Sequence, residues 1–193
     1  MGSNVDDLLS RYVLFSCEGT AEGVVIKQLV DAKRLIVAEN RIVKDPITFK
    51  PFTRLRKARD IEERFFGQNY AVEGAEGLLL ARIVDSRSAK FSLSRVNQDA
   101  ALVKSFITAP EIEMLVIHAE DAYEDWCRKN RQNRQLFPSG YCVQYLGLKE
   151  VKAEGFLQEY WSDADKLTSA IQAYSSKLGK RKTDELTLAN LLR

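Results

Sequence analysis

The sequence predicts an α/β domain, a parallel sheet flanked by helices, continued by a mainly helical C-terminal extension. Three observations predict it. Leu78-Leu-Leu-Ala-Arg-Ile-Val84 is nearly continuous in apolar residues, as a strand covered on both faces should be. The apolar run Tyr12–Phe15 passes through the short acidic stretch Ser16-Cys-Glu-Gly-Thr-Ala-Glu22 into the helical pattern Val24–Leu29, an order of strand, turn and helix. Val103–Thr108 is a further strand candidate, followed by Pro110 and the apolar helix pattern Glu111–His118. The α/β core is expected over residues 1–122 and the helical extension over 123–193, either as a separate lobe or packed back on the sheet.

Taken in order, Asp6–Leu9 reads as a helical turn or a loose lead-in, and Arg11–Ser16 as the first strand. In the turn that follows, Gly19 is expected to take a backbone conformation closed to side chains with a Cβ. Thr20 is expected to cap the helix Ala21–Asp31, with Glu22 against its positive end. Leu35–Ala38 is a second short apolar run. Pro46 disfavours helix just before it. Ile47–Phe52 alternates like an edge strand interrupted by Pro51. Asp60–Phe66 reads as a helix stopped by Gly67, Asp99–Leu102 as a short helix. Beyond His118 the expected elements are a polar basic loop at Arg128–Arg134, a turn at Pro138–Gly140, helices at Val151–Tyr160 and Ala164–Leu178, and a last short helix at Thr183–Leu192 with a cap-like Thr183-Asp-Glu start.

The 193 residues are 45% hydrophobic, enough for one domain of fair size. With 29 basic and 27 acidic residues the formal charge is only +2, so local patches decide whether nucleic acid is a partner. Cys17, Cys127 and Cys142 are odd in number and widely spaced, which fits reduced thiols in a cytoplasmic protein and offers no zinc-type pair. The opening residues lack a secretory pattern, and no apolar run approaches a membrane span.

The acids carry the functional reading. Glu18 ends the first strand, Asp85 ends the buried strand, and Glu111 and Glu113 open the helix after the next one. In parallel sheets chemistry gathers at the carboxyl ends of strands. If these strands are parallel neighbours, about 4.8 Å apart, acids at their ends can share one ion. Oxygen ligands alone select Mg²⁺ or Mn²⁺, which grips phosphate and stabilises the charge developing in phosphodiester cleavage. The plain alternative is that Glu18 and Glu22 form a solvated turn and a helix cap. Arg54-Leu-Arg-Lys-Ala-Arg59 and the residues Arg87, Lys90 and Arg95 concentrate positive charge; they read either as solvated faces or as phosphate contacts. Cys17 reads as strand packing; His118 reads as a packed residue before a ligand, and Trp126, Trp161, Tyr160 and Phe156 as core packing before base stacking.

Cys17-Glu-Gly-Thr-Ala-Glu22 resembles the Glu-Gly-x-x-Glu opening of Toprim-like proteins, among them topoisomerases, primases, overcoming-lysogenization-defect nucleases and small RloB-like proteins of bacterial defence loci. Val84-Asp85 resembles the family's metal-binding aspartate after a strand. Pro110-Glu-Ile-Glu-Met-Leu115 is similar to the Glu-Phe-Glu-x-Leu segment of the RloB-like relatives. The resemblance covers roughly Arg11 to His118. It implies a Toprim fold and a Mg²⁺- or Mn²⁺-dependent nuclease acting in phage defence or a mobile element. It also implies a metal ligand at Asp85, Glu18 as either the general acid/base or a metal-side carboxylate, Glu111 and Glu113 completing or orienting the metal site, and Glu22 touching the ion or standing just behind it. The sequence departs from the family's Asp-x-Asp by placing Arg87 third. Arg87 then either holds a substrate phosphate catalytically or pairs with a carboxylate. Nucleic acid is the implied partner, through Arg54, Arg56, Lys57, Arg59, Arg87, Lys90 and Arg95. The rival readings are a non-catalytic nucleic-acid-binding or regulatory module on the same fold, and a protein that works only with the product of a neighbouring gene; homo-oligomerisation stays open.

Overall fold

The chain, seen in a computed structural model that describes residues 4–88, 90–178 and 185–193, opens with a short helix, α1 (Asn4–Ser10), that leads into β1 (Tyr12–Cys17). The second strand, β2 (Leu78–Val84), is buried at every position, and β3 (Ala101–Ile107) follows it. The three strands are all parallel and lie in the order β1-β2-β3, so the most apolar strand is the central one.

Period-two alternation sorts the side chains of this sheet onto two faces. Val13, Phe15, Leu79, Ala81, Ile83 and Phe106 point to one of them, where α2 (Thr20–Asp31) packs through Val24, Val25, Ile26 and Leu29. Leu14, Leu78, Leu80 and Ala101 point to the other, beneath Ile61 and Phe65 of α3 (Ala58–Phe65). Covered faces explain why β2 carries no polar alternation.

The sheet edges are paired by single bridges rather than by further strands. Thr53 bridges to Ser16 and Ile42 to Val13 on the β1 side, and Leu186 bridges to Phe106 on the β3 side. The segment Ile47–Phe52 is accordingly a turn and not the expected edge strand. The buried Asp45 carboxylate accepts from the amides of Ile47 (3.0 Å) and Thr48 (3.1 Å), which folds the chain back, and Phe49 takes a positive φ of 58°. Leu35 makes only an isolated bridge to Leu192.

Helices make up the rest: α4 (Met114–Ala119), α5 (Tyr123–Gln132), α6 (Pro138–Tyr145), α7 (Glu154–Tyr160) and α8 (Ala164–Lys177). Several boundaries differ from expectation. Asp99–Leu102 is no helix, because β3 already begins at Ala101. Pro110 does not open a helix; residues 110–113 form a turn, and Glu113 is the N-cap residue of α4. The basic stretch from Arg128 is helical through Gln132, and Pro138 opens α6 where a turn was expected. At the C-terminus only a 3₁₀ turn, Leu188–Leu191, stands in place of the expected helix, whose first residues Thr183 and Asp184 lie outside the described residues, as do several of the basic residues before them.

The helical extension packs onto the α2 side of the sheet. One apolar cluster joins Phe15, Ile26 and Leu79 to Tyr141, Trp161, Ile171, Leu188 and Leu191, and α8 lies along α4. Asp163 caps α8, accepting from the amides of Asp165 and Lys166. Among the described residues no helix is long and apolar enough to cross a membrane.

Candidate functional site

Because the strands are parallel and adjacent, their carboxyl ends form one rim. Glu18 follows β1 and Asp85 follows β2, and the Asp85 amide donates to Glu18 Oε2 at 3.3 Å. The turn after β3 brings Glu111 and Glu113 to the same rim. All five predicted acids, Glu18, Glu22, Asp85, Glu111 and Glu113, line a single cleft of about 240 Å³, together with Gly19, Thr20, Ala21, Ile112 and Lys152.

The loop between Glu18 and α2 works differently from the expectation. Gly19 has φ −127° and ψ −176°, ordinary extended backbone, so no left-handed turn requires a glycine there. What a Cβ there would meet is the end of the Glu22 side chain, at 2.6 Å from Oε2, which would have to move aside. Gly19 is itself the N-cap and Thr20 is already helical, with no side-chain cap. Glu22 lies three residues past the N-cap and its carboxylate turns back to the amides of Gly19 and of Glu22 itself, half of a capping box. This carboxylate is buried, which raises its pKa despite those amides, and Asp85 and Glu18 add to the rise.

Glu113 is more strongly affected. It is only 5% exposed, and burial pushes its carboxyl up to about 7; Glu111 and Glu22 add to this against the pull of its own amide and of Lys152. Glu111 is tied down: Lys152 Nζ donates to its Oε1 at 3.1 Å and the Ser139 amide, at the start of α6, donates to its Oε2 at 2.9 Å. Burial draws the Lys152 ammonium down, but Glu113, Glu111 and Glu22 outweigh it and hold the pKa above its ordinary value. Behind the glutamates, burial raises the Cys142 thiol to about 12, helped by Glu113 and Glu111, so it is no nucleophile.

The acids therefore converge on one cleft without forming a cage. Among the described residues no group of three or more His, Cys, Asp or Glu side chains is arranged so that it could hold a metal ion. Glu111 is engaged by Lys152 and an amide, and Glu18 by the Asp85 amide, with Arg56 Nη1 3.7 Å away.

The predicted basic residues do not line this cleft. Arg56 is the nearest, at Glu18. Arg54 borders a shallow depression beside Thr20, Gly23 and Phe52. Lys57 is the residue before α3, and Arg59 pairs with Glu63 at 2.8 Å. Lys90 and Arg95 are exposed between β2 and β3. Arg87 Nε donates to both oxygens of Glu185, at 3.0 and 3.2 Å. His118 stacks on Tyr123 with ring centres 4.6 Å apart, away from the cleft.

Two residues of the site escaped the sequence reading. Lys152 is 34 residues past the motif-bearing region and carries no local signal. Arg82 had one, a lone cation inside an apolar run, and it lies at the carboxyl end of β2 in a small cavity that also touches Glu18 and Arg56.

Comparison with protein-family models, with curated proteins and with solved structures finds no match to this chain.

Proposed function

We propose that the acid cleft is the active site of a Toprim-like, Mg²⁺- or Mn²⁺-dependent nuclease that cleaves phosphodiester bonds of nucleic acid, with a phage-defence or mobile-element setting as its biological context. One observation carries the reading: carboxylates delivered by three successive parallel strands line the same cleft at the strand ends. The donor chemistry fits a hard divalent cation, because every acidic group lining the cleft offers only oxygen. Glu18, Asp85 and Glu22, with Glu111 and Glu113, would hold the ion, which when bound supplies charge neutralisation at a phosphoryl oxygen. Glu18, half-exposed at the rim, would act either as a ligand of the ion or as the group that exchanges a proton with water or a leaving oxygen. Lys152 holds Glu111 in position and covers the charge of the cleft.

The test is metal-dependent cleavage of single- and double-stranded DNA and RNA by the intact chain and by Glu18→Gln. The expected outcome is Mn²⁺-dependent cleavage that falls by about 100-fold or more in the variant. Cleavage that survives Glu18→Gln unchanged removes the proposal.

A second reading, a nucleic-acid-binding or regulatory module without catalysis, is favoured by a specific observation: the acids stand in no metal-holding arrangement and Lys152 already occupies the cleft as a cation. Titration calorimetry separates the two. Nucleic-acid binding with no heat from Mg²⁺ or Mn²⁺ and no turnover selects the module.

A further inference from the structure

The face of the sheet under α3 changes character along the strands. Its first row is Tyr12, Leu78 and Ala101, and its second is Leu14, Leu80 and Val103. Its third row is Ser16, Arg82 and Ser105, polar on all three strands. This is the row next to the carboxyl ends, and Arg82 is at its centre on the most buried strand. The side chain is 7% exposed. Its guanidinium lies 4.3 Å from the centre of the Phe91 ring and donates through Nη1 to the neutral Ser105 hydroxyl at 3.3 Å. No carboxylate among the described residues pairs with it; Glu18 acts on it only through space, too weakly to offset the effect of burial. A buried cation without an anion is a cost that an apolar residue of like size would not carry, so stability alone gives no reason for an arginine here.

A guanidinium offers only donors, and what completes it is an anion. A cavity of about 40 Å³ opens at this point, lined by Ser16, Glu18, Arg56, Arg82, Ile83 and Val84. Arg56, largely exposed at its mouth, brings a second guanidinium. Two planar forks match a group with several oxygens around one centre better than a two-oxygen carboxylate does.

We propose that Arg82 and Arg56 form a binding site for a phosphate group beside Glu18, taken either from a nucleic-acid backbone or as free phosphate. The site uses no metal and stands apart from cleavage. Glu18 borders both this cavity and the acid cleft, so a backbone phosphate held here lies next to the bond that the cleft would cut.

The experiment is calorimetric titration of the whole chain in chelator, with inorganic phosphate and with a dinucleoside monophosphate, for wild type, Arg82→Met and Arg56→Ala. Wild type is expected to bind at least one of the two, and each variant to weaken that binding by about tenfold or more. Preference for one ligand identifies the source of the phosphate. Thermal melts separate binding from a structural role: Arg82→Met is expected to melt at or above the wild-type temperature, and phosphate to raise the melting temperature of wild type only. Should Arg82→Met not fold, Arg56→Ala, altered at an exposed position, decides by its binding alone. Absence of binding by wild type, or wild-type affinity in the variants, overturns the site. Absence of cleavage by wild type, with phosphate binding intact, removes the nuclease reading and leaves this one.

Discussion

Glu113 shows how one buried side chain makes the cleft sensitive to pH. Its carboxyl is raised from 4.5 to about 7. Between those values the folded chain binds a proton that the unfolded chain does not, so stability falls as pH rises from 4.5 towards 7 and stays lowered above it. A rise of this size costs on the order of 3 kcal/mol once the group is ionised. Glu113→Gln removes the charge and keeps the shape. Urea unfolding at pH 5 and pH 8 is expected to show the variant gaining on wild type at the higher pH, by up to about 3 kcal/mol. An equal difference at both values would mean that the carboxyl is compensated after all. Gly19 teaches a related lesson. The sequence predicts a left-handed backbone there; the residue is extended instead, and a Cβ would meet only the end of the Glu22 side chain. Only coordinates distinguish a residue chosen for its φ from one chosen for missing volume.

At the scale of elements, β2 was legible to its end residues, because a doubly covered central strand has no polar alternation to blur it. Helix α2 was legible from its apolar face. The turn at Ile47–Phe52 was not, because alternation there mimics a strand while the Asp45 carboxylate commits the backbone to a reversal. The helix α2 also holds a glycine whose role is steric. A Cβ on Gly23 would meet two atoms of the buried Phe52 ring at 2.6 Å. Alanine favours a helix interior by about 1 kcal/mol over glycine. Overpacking of a buried ring costs about 1–3 kcal/mol. Gly23→Ala is therefore expected to lower the melting temperature despite its better propensity, and a circular-dichroism melt checks it. An unchanged or higher melting temperature would show that Phe52 moves aside freely.

Across the whole molecule, the extension and the sheet share one apolar cluster. Leu188 and Leu191 are fully buried in it although they come nearly at the end of the chain, and the neighbouring Leu186 bridges to β3. A leucine truncated in such a place leaves a cavity, and Leu188→Ala is expected to cost about 2–5 kcal/mol in chemical denaturation. A change below about 0.5 kcal/mol, the size usual at surface positions, would show the last segment to be loosely attached. The same packing accounts for Lys152. The chain that returns over the α2 side of the sheet carries this lysine to Glu111 and Glu113, which lie 41 and 39 residues earlier in the turn before α4.

By itself the sequence determined the strands and helices with clean periodicity, and the acids that fall at strand ends, because both depend on spacing along the chain. It did not determine the strand order, the joining of five acids in one cleft, the lysine set among them, or the arginine left without a carboxylate. Those depend on which distant segments share a wall and how much water reaches them. Burial and charge neighbours raise Glu113 and hold Lys152 in place, and neither exists until the chain has folded.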